Sequence, residues 1–373
     1  MSEMPLLRPT YAGINLKALA DNLLKARAEL SARGRGDCKI LLLVKANAYG
    51  HGSRLIASYA QEGKLCDALG VASIEEGIEL RKNGIILPIL VLGSIFPFDC
   101  FEYGLRYGLS LTVASVRAAK YITELAEKLK IKAKCHVKQE TGMGRIGSRR
   151  PAALEILRIL NKSEYVKVEG VFSHFSSADE NEQYTQMQLG YFKDLLAQAS
   201  AEGLETGLAH ISASSGFLNY KEACFDMVRL GHLAYGLEEG YKPVLSLKSK
   251  IVFIKDVREG ACISYGRTFK CARPSKIATI PLGYGDGYHR VLSNKGEVLI
   301  EGRRCPLIGN ITMDMLMADI TELGDIPVGS EAVFIGRQSG AEIRASEVAA
   351  LAGTIDYEIL TGLTARVPRK AEE

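Results

Sequence analysis

The chain has 373 residues, and 47 basic against 43 acidic side chains leave it a net charge of +4. That balance, with no block of like charge, argues against nucleic-acid or membrane-surface binding. At 47% hydrophobic and 24% charged residues, the composition is that of a globular protein long enough for one large domain and one smaller one.

The N-terminal stretch "MSEMPLLRPTYAG" lacks a basic region followed by an apolar core, so no signal peptide is expected. The segment "YAGINLKAL" reads as a strand, and residues 1–13 are expected to pack on a later β domain. From Lys39 the chain repeats one pattern: a short apolar run, a polar or glycine-rich turn, then a helical segment. The apolar runs are "ILLLV" (40–44), "ALGVA" (68–72), "PILVLG" (88–93), "LSLTVA" (109–114), "KAKCHV" (132–137), "VEGVFS" (168–173), "LAHIS" (208–212) and "DMVRLG" (226–231). Helical periodicity lies between them, as in "SVRAAKYITELAEKLK" (115–130). Eight strand–helix units favour a (β/α)8 barrel, of TIM type, over an open sheet, and the barrel is expected to span 14–245. After Leu245 short strand-like runs replace long helices until about Arg344, which predicts a mostly-β domain over 246–373. The apolar runs are too short to span a membrane. The eight cysteines are scattered without a C-x-x-C, which speaks against a zinc ribbon or disulfide framework and for a reducing cytoplasm.

Barrel chemistry sits on the loops that follow the strands. Those loops deliver Lys45 and Tyr49; Lys138, Glu140 and Arg145; His174; His210, Ser212, Ser214 and Ser215; and Arg229 with Gly231. "SASSG" and "RLG" carry hydroxyls and amides suited to a phosphate cradle, although helix-capping serines explain the first equally well. Lys45 closes a buried strand. Desolvation there lowers its pKa and makes it a candidate nucleophile and base. With a phosphate cradle, this suggests a Schiff base with a phosphorylated carbonyl compound. Pyridoxal phosphate is the leading candidate and a sugar-phosphate aldolase the competitor. A lysine snorkelling to solvent is the plain alternative.

"VKANAYGHG" (44–52) resembles the signature of the alanine racemases, pyridoxal-phosphate enzymes of the barrel type. "KQETGMGRIG" (138–147), "GVFSHFSSAD" (170–179), "MVRLG" (227–231), "ISYGRTF" (263–269), "PLGYGDGY" (281–288) and "NITMDM" (310–315) resemble further blocks of that family, in order, across both expected domains. The resemblance implies interconversion of L- and D-alanine, supplying D-alanine for peptidoglycan, in a cytoplasmic homodimer with shared active sites. Lys45 would hold the cofactor and serve as one base; Tyr265 of the partner subunit would be the other. Tyr49, Ser214, Gly231, Tyr357 and the backbone N–H of His232 match phosphate-holding positions. Arg229 matches the residue facing the pyridine nitrogen, with His174 linking it to Tyr265. Arg145, Met313 and Asp314 match substrate-side positions. Lys138 matches a lysine carbamylated in many members, which positions that arginine, and Tyr284 would line the way in. Glu140 stands for a common aspartate, His232 for an aliphatic residue and Gly285 for an alanine, which leaves exact substrate preference open. A serine or broad-specificity racemase is the nearest alternative. A barrel-fold amino-acid decarboxylase lacks support because its cysteine-aspartate-glycine block is absent. A non-catalytic cofactor-binding protein would not need the residues after Leu245.

Overall fold

The computed structural model describes residues 7–372; the first six residues of the expected 1–13 segment, and of the stretch read for a signal peptide, lie outside the described residues, as does residue 373. Contacts group the chain into two compact units. One comprises Ala20–Ala48 and Ser53–Ala234; the other comprises the described residues before Ala20, Tyr49–Gly52 and those from Tyr235 onward.

The first strand, β1 (Tyr11–Asn15), belongs to the second unit. The first unit is built on eight parallel strands: β2 (Lys39–Leu43), β3 (Ala68–Val71), β4 (Ile89–Val91), β5 (Ser110–Val113), β6 (Ala133–Lys138), β7 (Val166–Phe172), β8 (Leu208–His210) and β9 (Met227–Leu230). They pair in the order β8-β7-β6-β5-β4-β3-β2-β9. The two ends of that path meet: Asp226 N donates to Ala209 O (3.0 Å) and Arg229 N to Ser212 O (3.1 Å), which closes the ring into the expected barrel. Helices follow the strands, including Ile74–Lys82 and Val116–Leu129, whose first turns are capped by the Ser73 and Ser115 hydroxyls. Near-continuous apolar strands such as β2, buried along Ile40–Leu43, are what a sheet covered on both faces requires. One irregularity matters below. Between β6 and β7 the register shifts, with Cys135 opposite Val168 and His136 opposite Gly170, so Glu169 is the extra, bulged residue.

The second unit continues with β10 (Leu245–Lys250), β11 (Phe253–Val257), β12 (Cys262–Ile263), β13 (Phe269–Lys270), β14 (Ser275–Ile280), β15 (Glu297–Ile300), β16 (Arg303–Pro306), β17 (Leu316–Asp319), β18 (Glu331–Gln338), β19 (Ala341–Ile343) and β20 (Arg369–Glu372). Its largest sheet runs β16-β15-β18-β10-β1-β20, with β19 on β18; a second runs β11-β14-β17. The expected strand "YAGINLKAL" stops early. Asn15 Oδ1 accepts from Ala18 N (2.7 Å) and opens the helix Leu16–Ala32. The run "ACISYGRTF" is two short strands and a turn. Ser264, Gly266 and Arg267 have positive φ, and the turn Tyr265–Arg267 separates β12 from β13.

Candidate active site

Lys45 immediately follows Val44, whose N–H donates to Gly70 O (2.9 Å) at the end of β2. The backbone then turns left-handed for four residues, with φ of 50° at Ala46, 54° at Asn47 and Ala48, and 53° at Tyr49. Each such residue with a Cβ costs on the order of 1–2 kcal/mol, so the turn needs restraints. Glu76 provides two: its carboxylate accepts from Ala46 N (2.7 Å) and Ala72 N (2.7 Å), tying the ends of β2 and β3 together. Asn47 Oδ1 accepts from Ser53 N (2.8 Å), and Ala48 N donates to Val44 O (2.8 Å). Lys45 is thereby held half-buried at the barrel's C-terminal end. Burial pushes its pKa down, Arg145 and Arg229 push the same way, and Glu76 opposes them. A lowered pKa makes the ammonium easier to deprotonate, which favours a role as nucleophile or proton acceptor.

Arg229 on β9 is buried at 3% exposure, and both of its Nη groups are engaged. Nη1 donates to His210 Nδ1 (2.8 Å); Nη2 donates to Ser173 O (2.8 Å) and Ile211 O (2.7 Å) and lies 3.1 Å from His174 Nδ1. Burial, aided by Arg145, lowers its pKa to about 9, which still leaves it cationic at neutral pH. Burial and the cations Arg229, Lys138, Arg145 and Lys45 hold His174 well below the usual imidazole range. The ring of Phe172 stacks on His210 (centroids 4.9 Å, 3° between planes).

Lys138, at the end of β6, is also buried. Its Nζ donates to Gln139 O (3.1 Å) and lies 5.1 Å from the Phe172 ring centroid. Burial, Arg229 and Arg145 lower its pKa to about 7, against a smaller upward pull from Glu140. Burial would raise the Glu140 carboxyl, yet the amides of Gly142, Gly144 and Met143, with Lys138, bring it below the usual range. Arg145 is exposed on the same loop. Across the barrel Ser214 opens the helix Ser214–Asn219, and its buried Oγ accepts from Leu233 N (3.1 Å), two residues beyond Gly231 and next to His232. The first amides of a helix lack intrahelical acceptors. The barrel thus brings Lys45, Lys138, His174, Ser214 and Arg229 to one end.

The remaining candidates belong to the second unit. Tyr49 lies 5.7 Å from Tyr357 and 5.3 Å from Tyr235, centroid to centroid, and burial pushes its hydroxyl up to about 12. His51 lies in the turn that follows; it is fully buried and stacked on Tyr235 at 4.3 Å, with its Nδ1 3.0 Å from Tyr49 O. Tyr265, Tyr284, Met313 and Asp314 sit on neighbouring loops. Asn310 Nδ2 donates to Tyr265 O (2.8 Å), Tyr284 N to Thr312 O (3.0 Å), and Arg366 Nη2 to Asp314 Oδ1 (2.7 Å). Tyr265 is 75% exposed.

Two participants carry no role in the sequence reading. Glu76 had a readable signal: Ser73-x-x-Glu76 opens a helix like a capping box, except that the carboxylate reaches the neighbouring turn. His136 had one too, being two residues before Lys138 on the same face of β6.

Fold and site define a barrel enzyme built around a lysine at the end of its first barrel strand, with a strand-rich unit beside it in sequence. The description "Alanine racemase, N-terminal domain" matches residues 14–239, and "Alanine racemase, C-terminal domain" matches 244–371. The alanine racemases of Halothermothrix orenii and Symbiobacterium thermophilum are each 41% identical to the chain, covering 97% of it and 97% of their own length. The solved alanine racemase of Bacillus anthracis, with bound L-Ala-P, superposes with a TM-score of 0.91 at 33% identity, over 99% of this chain and 96% of that one. That of Clostridium difficile gives 0.90 at 37% identity, over 98% and 96%. The chain belongs to the alanine racemase family and is an isomerase.

Proposed function

We propose that this enzyme interconverts L-alanine and D-alanine with pyridoxal phosphate, using Lys45 and Tyr265 as bases on opposite faces of the α-carbon. The observation that carries the reading is Lys45, held half-buried beside two arginines with its pKa pushed down. The donor set fits the cofactor in kind: an amine for the carbonyl, a helix-opening serine for the phosphate and a buried cation at the barrel's mouth. When bound, pyridoxal phosphate supplies the electron sink that makes the α-hydrogen of alanine removable. Lys45 exchanges that proton on one face. Tyr265 exchanges it on the other, and it needs a cationic neighbourhood because a free phenol titrates near pH 10. Arg229, linked to His174, supplies that neighbourhood; as a donor that keeps its proton, it would face the pyridine nitrogen without protonating it. Arg145 and the partner's Met313 and Asp314 meet the substrate. Tyr49, Tyr357, Ser214, Gly231 and the His232 amide would hold the phosphate, and Tyr284 would line the way in. The neutral fraction of the Lys138 amine makes it open to carbamylation, which would turn it into an anion suited to Arg145.

The exposure of Tyr265, Tyr284, Met313 and Asp314 supports a homodimer in which each chain completes its partner's site. All eight cysteines are free, which fits a reducing compartment, and the reading is of a cytoplasmic enzyme supplying D-alanine for peptidoglycan. The test is optical inversion by the purified protein, with and without added pyridoxal phosphate, of L-alanine, L-serine and L-lysine. Cofactor-dependent inversion of alanine well ahead of the others is expected. Preferential inversion of serine or lysine would replace alanine as the substrate, and loss of carbon dioxide would make the enzyme a decarboxylase.

A further inference from the structure

The inside of the barrel has two characters. Along β2 and β3 it is apolar: a Cβ on Gly70 would meet Leu41, Leu43 and Leu92 at 2.5–3.2 Å, so these side chains fill that half. Along β6 to β9 it is polar. Beneath Arg229 lies His210, and beneath His210 lies His136, its Nδ1 3.0 Å from His210 Nε2. Gly170 is the glycine this requires, because a Cβ there would stand 2.4 Å from His136 Nδ1. The bulge at Glu169 brings a carboxylate to the lower end, where Ser110 Oγ donates to Glu169 Oε2 (2.6 Å). Leucines would fill this half as well as the other, and a buried polar string tolerates no unsatisfied member.

The string has one consistent protonation pattern. A guanidinium donates and never accepts. His210 Nδ1 and His174 Nδ1 both face Arg229 Nη groups, so both nitrogens are bare and both neutral rings carry their proton on Nε2. His210 Nε2–H then donates to His136 Nδ1, which places the His136 proton on Nε2 as well. Charging His174 or His210 would point a new N–H at the guanidinium; charging His136 would set its Nδ1–H against His210 Nε2–H. The charged neighbours agree: Arg229 and Lys138 act on His210; Arg229, Lys138, Arg145 and Lys45 act on His174; only Glu169 favours charge on His136. Burial leads all three downward, and brings His136 to about 4.

We propose that His136 and His210, with Glu169 at the lower end, are a positioning column: they hold Arg229 in one donor arrangement and thereby fix His174 as a neutral ring that presents Nε2–H. The proposal deepens the racemase reading, on which it rests for what Arg229 and His174 act upon. His136 touches no substrate. Its effect passes through His210.

The test uses the cofactor-loaded enzyme with ¹⁵N-labelled imidazoles. In the unsubstituted protein His136, His174 and His210 should each show the neutral Nε2–H pattern from pH 6 to pH 9. An Nδ1–H pattern, or titration of any of the three in that range, would overturn the column. In His136→Leu the His210 Nε2–H loses its acceptor. The His210 and His174 signals should then report mixed tautomers, kcat for alanine should fall about tenfold with KM within about twofold, and a new acidic limb should enter the kcat/KM profile. His136→Gln, whose amide oxygen can accept from His210, should recover most of kcat and remove that limb. Unchanged His174 signals and an unchanged pH profile in His136→Leu would refute the role, as would failure of His136→Gln to rescue. If His136→Leu does not fold, Glu169→Gln at the partly exposed lower end should move the His136 signal and shift the profile in the same direction; no movement would count against it. A protein with all three tautomers and no alanine racemisation would sink the racemase reading while supporting the column.

Discussion

The two units treat their candidate residues in opposite ways. In the barrel, Arg229 and Lys138 are buried at 3% and Ser214 at 5%, each with hydrogen bonds supplied by its own unit. In the strand-rich unit, Tyr265, Asp314, Met313 and Tyr284 are mostly exposed, and the bonds around Tyr265 and Tyr284 engage backbone atoms, leaving both phenols outward. A side chain locked by its own fold arrives at the chemistry already oriented. One displayed on a loop takes its environment from whatever covers it. Substitutions in the barrel should therefore disturb stability and function together, whereas those at the exposed loops should separate the two.

Lys45→Ala should break the barrel's side of this contrast most completely. Alanine racemisation should fall below detection, and treatment with borohydride should no longer trap a cofactor adduct; persistence of that adduct would refute the assignment. Tyr265→Ala should show the other extreme. Denaturant unfolding should stay within about 0.5 kcal/mol of the parent, while solvent-deuterium exchange at the α-carbon collapses far more for one enantiomer than for the other. Equal losses in both directions would speak against two bases. Glu76→Ala tests the restraint on the left-handed turn. Two amides lose their acceptor, so a destabilisation of about 1–3 kcal/mol is expected, together with weaker cofactor retention on dialysis; an unchanged urea midpoint would show the turn holds itself.

The most gradual effect is a pH dependence. Burial, with Arg229, lowers the Lys138 amine to about 7 in the fold, against the ordinary lysine value of 10.5 when unfolded. Between these values the unfolded chain binds more protons, so this residue makes stability rise with pH from about 7 towards 10.5. The slope from this one group is at most about 1.4 kcal/mol per pH unit. Comparing parent and Lys138→Met in buffer free of carbon dioxide should show the rise flattened in the variant. A steeper rise in Lys138→Met would reverse the assignment.

Much of this layout was legible in the chain. The eight apolar runs correspond to β2 through β9 because strands covered on both faces must be continuously apolar. Lys45 was legible because charge at the end of such a run is unusual. Less legible were features set by backbone geometry. Nothing in "YAGINLKAL" marks the change from strand to helix at Leu16 except Asn15, whose capping role depends on where the strand ends. The turn at Tyr265 depends on positive φ at Ser264 and Arg267, residue types that do not advertise it. The nearness of Glu169 to His136 was hidden because it follows from a register shift between β6 and β7, and register lies between strands.

The left-handed turn also bears on how the protein can be divided. Residues Tyr49–Gly52 group with the strand-rich unit although they sit deep within the barrel's stretch of sequence. Gly50 is lodged there. Arg369 Nε donates to its carbonyl (2.8 Å), and a Cβ on it would stand 2.1 Å from Leu360 O. A fragment starting at Tyr235 would thus fold around a missing piece, leaving Arg369 Nε without the Gly50 carbonyl. Gene splitting, domain exchange and circular permutation all assume a severable joint. Here the linear order of the chain offers none at residue 235, because the unit that follows has already borrowed its filling from the loop beside the lysine.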